Sequence, residues 1–311
     1  MRKVVVTGGA GFIGSHIVEE LYDPRYQITI LDDLSTGKLA NIEVLLKRPN
    51  VEFVQGSITD ITLLQRIFKD VYYVFHQAAV PSVPRSIENP QASHDVNVTG
   101  TLNVLLAARD NDVKKVMYAS SSSVYGDSPT LPKVEDMIPN PLSPYAVTKL
   151  TGEYYCRVFE QVYNLPTVCL RYFNVYGPRQ DPESQYAAVI PLFITSVIND
   201  QGPIIFGDGE QSRDFTYIKD VTEANILAAE SDATGIFNIG KGERITINQL
   251  AKLCIKMLSN YCVNPTHEEI RPGDVKDSLA DITRAKTFDY SPKYDLEKGL
   301  YETIRSFTNE A

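Results

Sequence analysis

Short apolar runs rich in β-branched residues alternate with helical patterns through the first half of this 311-residue chain. Such alternation is typical of parallel strands joined by crossover helices. Strands are predicted at residues 3–7, 28–32, 51–55, 72–75, 114–119 and 167–172. Helices are predicted to begin near Phe12, Asp60, Pro90 and Ser143. The pattern therefore predicts an α/β fold with a doubly wound parallel sheet of the Rossmann type.

The pattern changes after about residue 175, where short mixed elements contain more proline and glycine. The segments PRQDPES, FGDGEQSRD and IRPGD are examples. This composition favours loops and short elements, which often carry substrate contacts. We therefore predict a larger domain over residues 1–175 and a smaller, mixed α/β lobe over residues 176–311. Elements are allowed to interleave between the two.

Composition and charge narrow the possible functions. The chain has 30 Lys and Arg against 39 Asp and Glu, a net charge of -9, and its basic residues are scattered. A nucleic-acid partner is therefore not expected. The four cysteines are irregularly spaced, with no Cys-x-x-Cys pair and only four histidines in the chain. Core or free thiols are favoured over a metal site or a disulfide framework.

The apolar run at the N-terminus ends at glycines, before it reaches the length of a signal-peptide core. No window approaches the roughly 20 apolar residues that cross a bilayer. We expect a soluble, cytoplasmic protein with no membrane partner.

Three glycines, Gly8, Gly11 and Gly14, directly follow the first predicted strand and open the first predicted helix. In this context glycines permit a tight turn, and the amides at the helix start bind a pyrophosphate. Asp32 and Asp33 follow about 20 residues later. A carboxylate at Asp32 can accept both ribose hydroxyls of adenosine and would repel a 2′-phosphate, which favours NAD over NADP. Asp33 can equally cap the next turn.

Tyr145 and Lys149 are an i, i+4 pair in the segment SPYAVTK. On a helix they share one face, so the ammonium can lower the pKa of the phenol and favour the phenolate. We expect a phenol with its pKa lowered towards neutrality, able to accept a proton from a sugar hydroxyl. Alone, such a pair can also be an ordinary exposed helical pair.

These segments and others resemble the extended short-chain dehydrogenase/reductases, and within them the UDP-hexose 4-epimerases. The resemblance spans nearly the whole chain, with further matches at HQAA, NVTGT, SSSSVYGD, LRYFNVYGPRQDP, SRDFTYIKDV and RPGDVKDSLAD. The wording NPLSPYAVTK, RQDP and YAAVIP is similar to the UDP-N-acetylglucosamine 4-epimerases. The resemblance implies NAD as a tightly bound cofactor, a UDP-sugar as substrate and a homodimer. It implies that the domain over residues 1–175 binds NAD and that the lobe over residues 176–311 binds the UDP-sugar.

The resemblance also implies roles for individual residues. Ser121, Tyr145 and Lys149 match the catalytic set. The cofactor site implied by the match comprises Gly8, Gly11, Phe12, Ile13, Gly14, Asp32, Asp33, Leu34, Ser35, Thr36, Gly37, Ser57, Ile58, Gln77, Ala78, Ala79, Asn97, Ser121, Tyr145, Lys149, Tyr172 and Phe173. Ser57 departs from the pattern, because the family usually has an acid there to contact adenine.

The substrate site implied by the resemblance comprises Ser82, Ser121, Ser123, Tyr145, Asn174, Ala188, Val189, Arg213, Arg271, Asp274 and Ser278. Ser278 lies where members restricted to unmodified hexoses carry a bulky tyrosine, so it leaves room for a 2-acetamido group. Interconversion of UDP-GlcNAc and UDP-GalNAc, together with UDP-Glc and UDP-Gal, is expected. Arg85, with Ser82, can contact the acetamido group or lie at a helix edge on the surface.

The implied reaction is transient oxidation at the sugar C4 to a 4-keto intermediate, followed by re-reduction on the other face. Dehydration is the first alternative, but dehydratases carry an Asp-Glu pair where this chain has Ser122 and Ser123. A decarboxylase remains open. A non-catalytic NAD sensor is disfavoured, since the Ser, Tyr and Lys are all present. The helices after residues 90 and 143 are expected to pair two subunits, although Tyr154, Val158 and Val162 are equally consistent with packing on the parent sheet.

Overall fold

A computed structural model of the chain, which describes residues 1–182, 188–258, 263–269 and 275–308, contains one parallel sheet of seven strands. The strand order is β11-β6-β5-β4-β1-β2-β3, and every neighbouring pair is parallel. The predicted doubly wound α/β fold is therefore confirmed. The described strands are, in chain order, β1 (Arg2–Thr7), β2 (Tyr26–Asp32), β3 (Val51–Gln55), β4 (Val71–His76), β5 (Lys115–Ser121), β6 (Thr167–Tyr172), β7 (Val175–Tyr176), β8 (Ile204–Phe206), β9 (Ser212–Arg213), β10 (Thr216–Tyr217), β11 (Gly235–Ile239), β12 (Ile245–Thr246) and β13 (Thr266–Glu268).

The helices begin where local signals place them. Asp60 caps α2 by accepting from the Leu63 amide, and Ser143 caps α6 by accepting from the Ala146 amide. The described α-helices are α1 (Phe12–Glu20), α2 (Ile61–Ile67), α3 (Val83–Glu88), α4 (Pro90–His94), α5 (Thr101–Asp110), α6 (Pro144–Tyr163), α7 (Val189–Ile198), α8 (Ile218–Glu230), α9 (Ile247–Met257) and α10 (Leu296–Phe307). All four predicted helix starts are confirmed to within one residue.

Helices cover both faces of the sheet, which explains why its strands are apolar without alternation. On one face, Ile17 of α1 and Ala224 of α8 belong to a single buried cluster. On the other face, Leu64 of α2, Val104 of α5 and Phe159 of α6 belong to a second cluster. The sheet is thus sealed from water on both sides, and its carboxyl-terminal edge is left to carry a site.

The seventh strand comes from the second half of the chain. β11 pairs with β6, and α8, which precedes it, packs against α1 and the sheet. This strand was not predicted, because five residues between a helix and a glycine turn are too short to show a period. The boundary at residue 175 stays a prediction, and α8 and β11 are the interleaved elements that it allowed.

The helices α7, α9 and α10 form a second layer around their own apolar cluster, whereas α3 and α4 pack against α6. Three two-stranded sheets complete it: β7 with β10, β8 with β13, and β9 with β12. Most of these strands have only two or three residues, so loops rather than long ladders fix this layer. Among the described residues, none of the helices combines the length and apolar character needed to cross a membrane.

Candidate active site

A cavity of about 610 Å³ opens at the carboxyl ends of the strands, where the chain order reverses between β1 and β4. Such a switch point is where open α/β sheets bind ligands. Most of the predicted cofactor residues line it: Gly8, Gly11, Phe12, Ile13, Gly14, Asp32, Asp33, Leu34, Ser35, Thr36, Gly37, Ser57, Ile58, Gln77, Ala78, Ala79, Tyr145, Lys149 and Tyr172. Residues separated by more than 150 positions therefore meet at one edge of the sheet.

The glycines at the start of α1 lie where a side chain would collide with neighbouring backbone. Gly8 has φ +67°, and a Cβ there would lie 2.7 Å from the Ala78 amide nitrogen. A Cβ on Gly14 would lie 2.1 Å from the Gly8 carbonyl oxygen. The glycines therefore allow the turn to pack tightly against its neighbours, and the turn and the first residues of α1 line the cavity. This cradle fits the pyrophosphate of a dinucleotide.

Asp32 ends β2 at the cavity wall. Its carboxylate accepts from the amides of Ala10 at 2.9 Å and Leu34 at 2.8 Å, and burial raises its pKa above the usual range while these bonds oppose the rise. A Cβ on Gly37 would lie 2.7 Å from Asp32 Oδ1, so the facing loop passes close to the carboxylate. Asp33 accepts from the Ser35 amide at 2.9 Å and so caps the turn.

Ser57, the departure from the family pattern, lies on the cavity wall beside Ile58. Its hydroxyl oxygen accepts from the Thr59 hydroxyl at 3.0 Å. The Ser57 oxygen is thus held by its neighbour and brings no charge to this end of the cavity.

Three predicted cofactor residues, Asn97, Ser121 and Phe173, are not part of the cavity lining. Asn97 is buried, with its Oδ1 accepting from the Val80 amide at 2.8 Å and its Nδ2 donating to Thr148 Oγ1 at 3.1 Å. It therefore holds Val80, which lines the cavity. Phe173 is fully buried and packs with Tyr125 in another cluster, because successive residues of an extended segment face opposite sides. Contact of Asn97 and Phe173 with the cofactor stays a prediction.

The three predicted catalytic side chains come together at one end of this cavity. Ser121 ends β5, while Tyr145 and Lys149 lie in the first two turns of α6. The Ser121 hydroxyl lies beside the Tyr145 phenol, whose pKa it lowers. Lys149 Nζ donates to the Ala119 carbonyl at 2.8 Å and lies 5.9 Å from the centroid of the Tyr145 ring. A phenol, a hydroxyl and an ammonium thus converge beside the cavity.

The pKa values at this corner correct one expectation. Burial raises the pKa of Tyr145 to about 12, and the hydrogen bond from Ser121 opposes the rise only in part. Burial also lowers the pKa of Lys149 to about 8. The expected phenol with a lowered pKa is therefore wrong for the protein alone, because the ammonium is directed at the Ala119 carbonyl and desolvation of the phenolate dominates.

A buried ion pair lies behind this corner. Glu153 on α6 accepts from Arg171 on β6 through two bonds, from Nε at 2.8 Å and from Nη2 at 2.7 Å. The hydroxyl of Ser120 on β5 donates to the same carboxylate at 2.5 Å. Both charged side chains are about 1% exposed. These bonds link α6, which carries Tyr145 and Lys149, to β5 and β6.

A second cavity of about 280 Å³ lies in the other layer and shares Ala188 with the first. It is lined by four predicted substrate residues, Asn174, Ala188, Val189 and Arg213, together with apolar side chains that include Phe193 and Phe215. Arg213 donates from Nη1 to the carbonyl of Ser212 at 3.0 Å. An arginine and an amide thus face an apolar slot next to the candidate catalytic corner.

The other predicted substrate residues have different surroundings. Ser278 is 9% exposed, and its hydroxyl lies 3.5 Å from Asn174 Nδ2 at the edge of the second cavity. Ser123 has a buried hydroxyl with no hydrogen-bond partner in the described part of the chain, whereas Ser82 caps α3 by accepting from the amide of Arg85 at 3.2 Å. Arg85 itself lines the first cavity. Two further predicted substrate residues, Arg271 and Asp274, lie outside the described residues.

Sequence reasoning missed several polar residues that line the first cavity: Lys38, Asn41, Arg179, Gln180 and Asp181. Lys38 and Asp181 pair at 3.0 Å, and Arg179 pairs with Glu19 of α1 at 2.6 Å. Residues 179–181 belong to the segment after β7 and reach the cavity from the other half of the chain. Residues 179–181 lie in the matched segment RQDP, but sequence spacing alone does not predict that they face β2.

A search of the described residues finds no group of three or more His, Cys, Asp or Glu side chains placed to share a metal ion. Cys156, Cys169 and Cys254 are buried free thiols, and Cys262 lies outside the described residues.

Known proteins similar to this chain agree on one family. The model of the NAD dependent epimerase/dehydratase family matches residues 4–240. A putative UDP-glucose 4-epimerase of Methanocaldococcus jannaschii is 42% identical over 308 residues, 98% of each chain. The solved UDP-N-acetylglucosamine 4-epimerase from Methanobrevibacter ruminantium M1, in complex with UDP-N-acetylmuramic acid, is 44% identical with a TM-score of 0.96, covering 100% of this chain and 99% of that one. A Thermus thermophilus UDP-glucose 4-epimerase in complex with NAD is 35% identical with a TM-score of 0.90, covering 99% and 100%.

Proposed function

The chain belongs to the NAD dependent epimerase/dehydratase family, as a UDP-sugar 4-epimerase of the extended short-chain dehydrogenase/reductases, and we propose that it interconverts UDP-GlcNAc with UDP-GalNAc and UDP-Glc with UDP-Gal. The observation that carries the proposal is that Tyr145 and Lys149, with Ser121 beside the phenol, line a cavity shaped for a dinucleotide, and that this cavity adjoins a second one carrying an arginine.

NAD is the cofactor of this family, and the first cavity fits it. The glycine turn and the first amides of α1 would hold its pyrophosphate, and Asp32 would hold the adenosine ribose. When bound, NAD would supply a hydride acceptor and donor for the sugar C4. We assign this function to residues 1–175, with α8 and β11 completing the sheet, and UDP-sugar binding to residues 176–311.

Tyr145 accepts the proton of the sugar 4-hydroxyl and returns it after the sugar has turned over. Ser121 hydrogen-bonds the phenol and positions the same hydroxyl, while the Lys149 ammonium favours the phenolate electrostatically. Because burial alone holds the pKa of Tyr145 at about 12, proton transfer depends on positive charge reaching this corner.

The second cavity binds the nucleotide part of the substrate. Arg213 binds the diphosphate through its guanidinium, and Asn174 donates to a phosphate or sugar oxygen. Backbone groups at Ala188 and Val189 face the base. The family match extends this site to Arg271 and Asp274, which lie outside the described residues.

The sugar specificity rests on Ser278. Its small side chain lies beside Asn174, so a 2-acetamido group meets no bulky ring there. Ser123, whose buried hydroxyl has no partner among the described residues, supplies a further polar group for the sugar. The neighbouring serine, Ser122, leaves the dehydratases' acid and base without a counterpart.

A product assay tests this proposal. Purified protein, with no NAD added, is given UDP-GlcNAc and UDP-Glc in parallel, and the nucleotide sugars are resolved by chromatography. We expect UDP-GalNAc and UDP-Gal to form, because the cofactor ends each turnover unchanged and stays bound. A 6-deoxy product would instead indicate dehydration, and loss of the carboxyl group in a parallel incubation with a UDP-uronic acid would indicate decarboxylation. Either result without epimerisation contradicts the proposal.

We also propose a homodimer. Val147, Tyr154, Val158 and Val162 lie on one face of α6 and are between 46% and 62% exposed. Packing on the parent sheet is therefore excluded for these side chains. An apolar stripe about four turns long fits the corresponding face of a second copy.

A further inference from the structure

A buried carboxylate in the second layer takes no direct part in the chemistry described so far. Asp214 lies between β9 and β10 and has no exposed surface. Its Oδ1 accepts from the amide of Lys241 at 2.8 Å, and its Oδ2 accepts from the amides of Gly242 at 3.0 Å and Ala280 at 3.1 Å. Its side chain lines neither cavity. Three backbone amides from two distant segments therefore converge on one carboxylate.

The segments held by this carboxylate approach each other very closely. A Cβ on Gly240 would lie 2.6 Å from the Cβ of Ala280 and 3.0 Å from Asp214 Oδ2. The turn after β11 therefore packs directly against residues 278–280. The Asp214 carboxylate lies between these two segments and β9. Two-residue strands such as β9 supply few ladder bonds, so the bonds to Asp214 add to the backbone bonds that join Ser212 to Lys276 and Ser278 in fixing where the segments lie.

Each segment carries a residue that we assign to the substrate. Arg213 directly precedes Asp214, and Ser278 lies two residues before Ala280. Asn174 Nδ2 donates to the Asp214 carbonyl oxygen at 3.0 Å and lies 3.5 Å from Ser278 Oγ. Arg213, Asn174 and Ser278 thus belong to one unit that is linked through Asp214, whose own side chain lines neither cavity.

We propose that Asp214 is a positioning residue for the nucleotide-sugar site, which sets the spacing between the arginine at the diphosphate and the serine at the sugar. The inference rests on the proposed function. A carboxylate suits this role because both oxygens accept, whereas an asparagine would turn an NH₂ group towards amides that also donate. With Asn at this position, at least one of the three amides loses its acceptor and the segments separate.

The chain offers a matched control. Asp220 on α8 is also buried and accepts from two backbone amides, of Lys293 at 2.8 Å and Tyr294 at 3.2 Å. The segment that it holds carries no residue assigned to the substrate. Asp214→Asn and Asp220→Asn therefore make the same chemical change at two buried carboxylates and differ in what they position.

The experiment compares KM and kcat for UDP-GlcNAc, the affinity for UDP by calorimetry, and the urea midpoint, in wild type and both variants. We expect Asp214→Asn to raise KM roughly tenfold or more, the cost of one or two buried bonds, with kcat within about threefold. Asp220→Asn should lower the urea midpoint while KM stays within about twofold of wild type. A folded Asp214→Asn protein with wild-type KM, or an equal rise in KM for both variants, would overturn the inference.

Asp214→Glu covers the case in which Asp214→Asn does not fold. It keeps the charge but lengthens the side chain by one methylene, so a raised KM with a wild-type urea midpoint supports positioning. If neither Asp214 variant folds while Asp220→Asn does, Asp214 serves the fold alone and the inference fails. If the wild type converts no UDP-sugar, the proposed function fails, and the UDP affinities of the variants still decide the role of Asp214.

Discussion

The two cavities meet at one residue but are held in place by different means. The first is built on strands of five to seven residues whose parallel ladder fixes every backbone position, and much of its lining is backbone, as at Gly8 and Gly14. The second is built on strands of two or three residues, and single polar side chains such as Asp214 hold its walls together. We expect the first site to tolerate the loss of one side chain, because the backbone hydrogen bonds of the sheet position it. We expect the second site not to tolerate such a loss, because side-chain hydrogen bonds hold its walls in place.

The largest effect that we expect is at the catalytic corner, where the first cavity does depend on one side chain. Tyr145→Phe removes the proton acceptor, so kcat should fall by about 10³-fold, the usual range for a general base. UDP affinity, measured by calorimetry, should stay unchanged because the second cavity is untouched. Tyr154→Phe, on the exposed face of the same helix, is the control and should keep wild-type rates. Wild-type turnover by the Tyr145→Phe protein would remove the tyrosine from the mechanism.

The buried pair of Glu153 and Arg171 tests this comparison, because here a side-chain contact supports the first cavity. Glu153→Ala leaves the Arg171 guanidinium buried without its partner, so the free energy of unfolding should fall by about 3–5 kcal/mol. Lys3→Met, which removes an exposed pair with Asp70, should cost no more than about 1 kcal/mol. Urea titrations of both proteins measure the two losses. Equal losses would mean that the buried pair contributes no more than a surface contact.

On the substrate side, one side chain should change specificity and leave the fold intact. Ser278→Tyr fills the space beside Asn174, so kcat/KM for UDP-GlcNAc should drop about 10- to 100-fold relative to UDP-Glc. Ser278→Ala keeps the space and should keep the wild-type ratio. Parallel assays with the two substrates give both ratios. A Ser278→Tyr protein that retains full activity on UDP-GlcNAc would separate Ser278 from sugar selection.

The smallest effect on chemistry is expected outside both cavities. Val158→Asp places a charge in the middle of the exposed α6 stripe and should convert the dimer to a monomer, seen by analytical ultracentrifugation, with kcat within a few-fold of wild type. Val134→Asp, at an exposed position away from this helix, should remain dimeric. A wild type that sediments as a monomer would contradict the proposed dimer.

The difference between the two regions also decides what the sequence could predict. The six strands up to residue 172, the helix starts and the glycine cradle follow from local patterns, since β-branched runs, caps and glycines act on their own neighbours. β11 and the segment at Arg179–Asp181 were missed, because their positions depend on contacts with residues far away in the chain. Asn97 and Phe173 were assigned to the cavity by resemblance, which gives a residue's neighbourhood but not the direction of its side chain.

The pairing of β11 with β6 has a consequence for synthesis. β6 is buried along its whole length, yet its outer edge is covered only by a strand that ends at Ile239. Until the ribosome has released about 60 further residues, the nascent sheet presents an apolar, unpaired edge of the kind that recruits other chains. We expect a fragment cut at residue 175 to keep every glycine of the dinucleotide cradle and still aggregate, because the edge of β6 would stay unpaired.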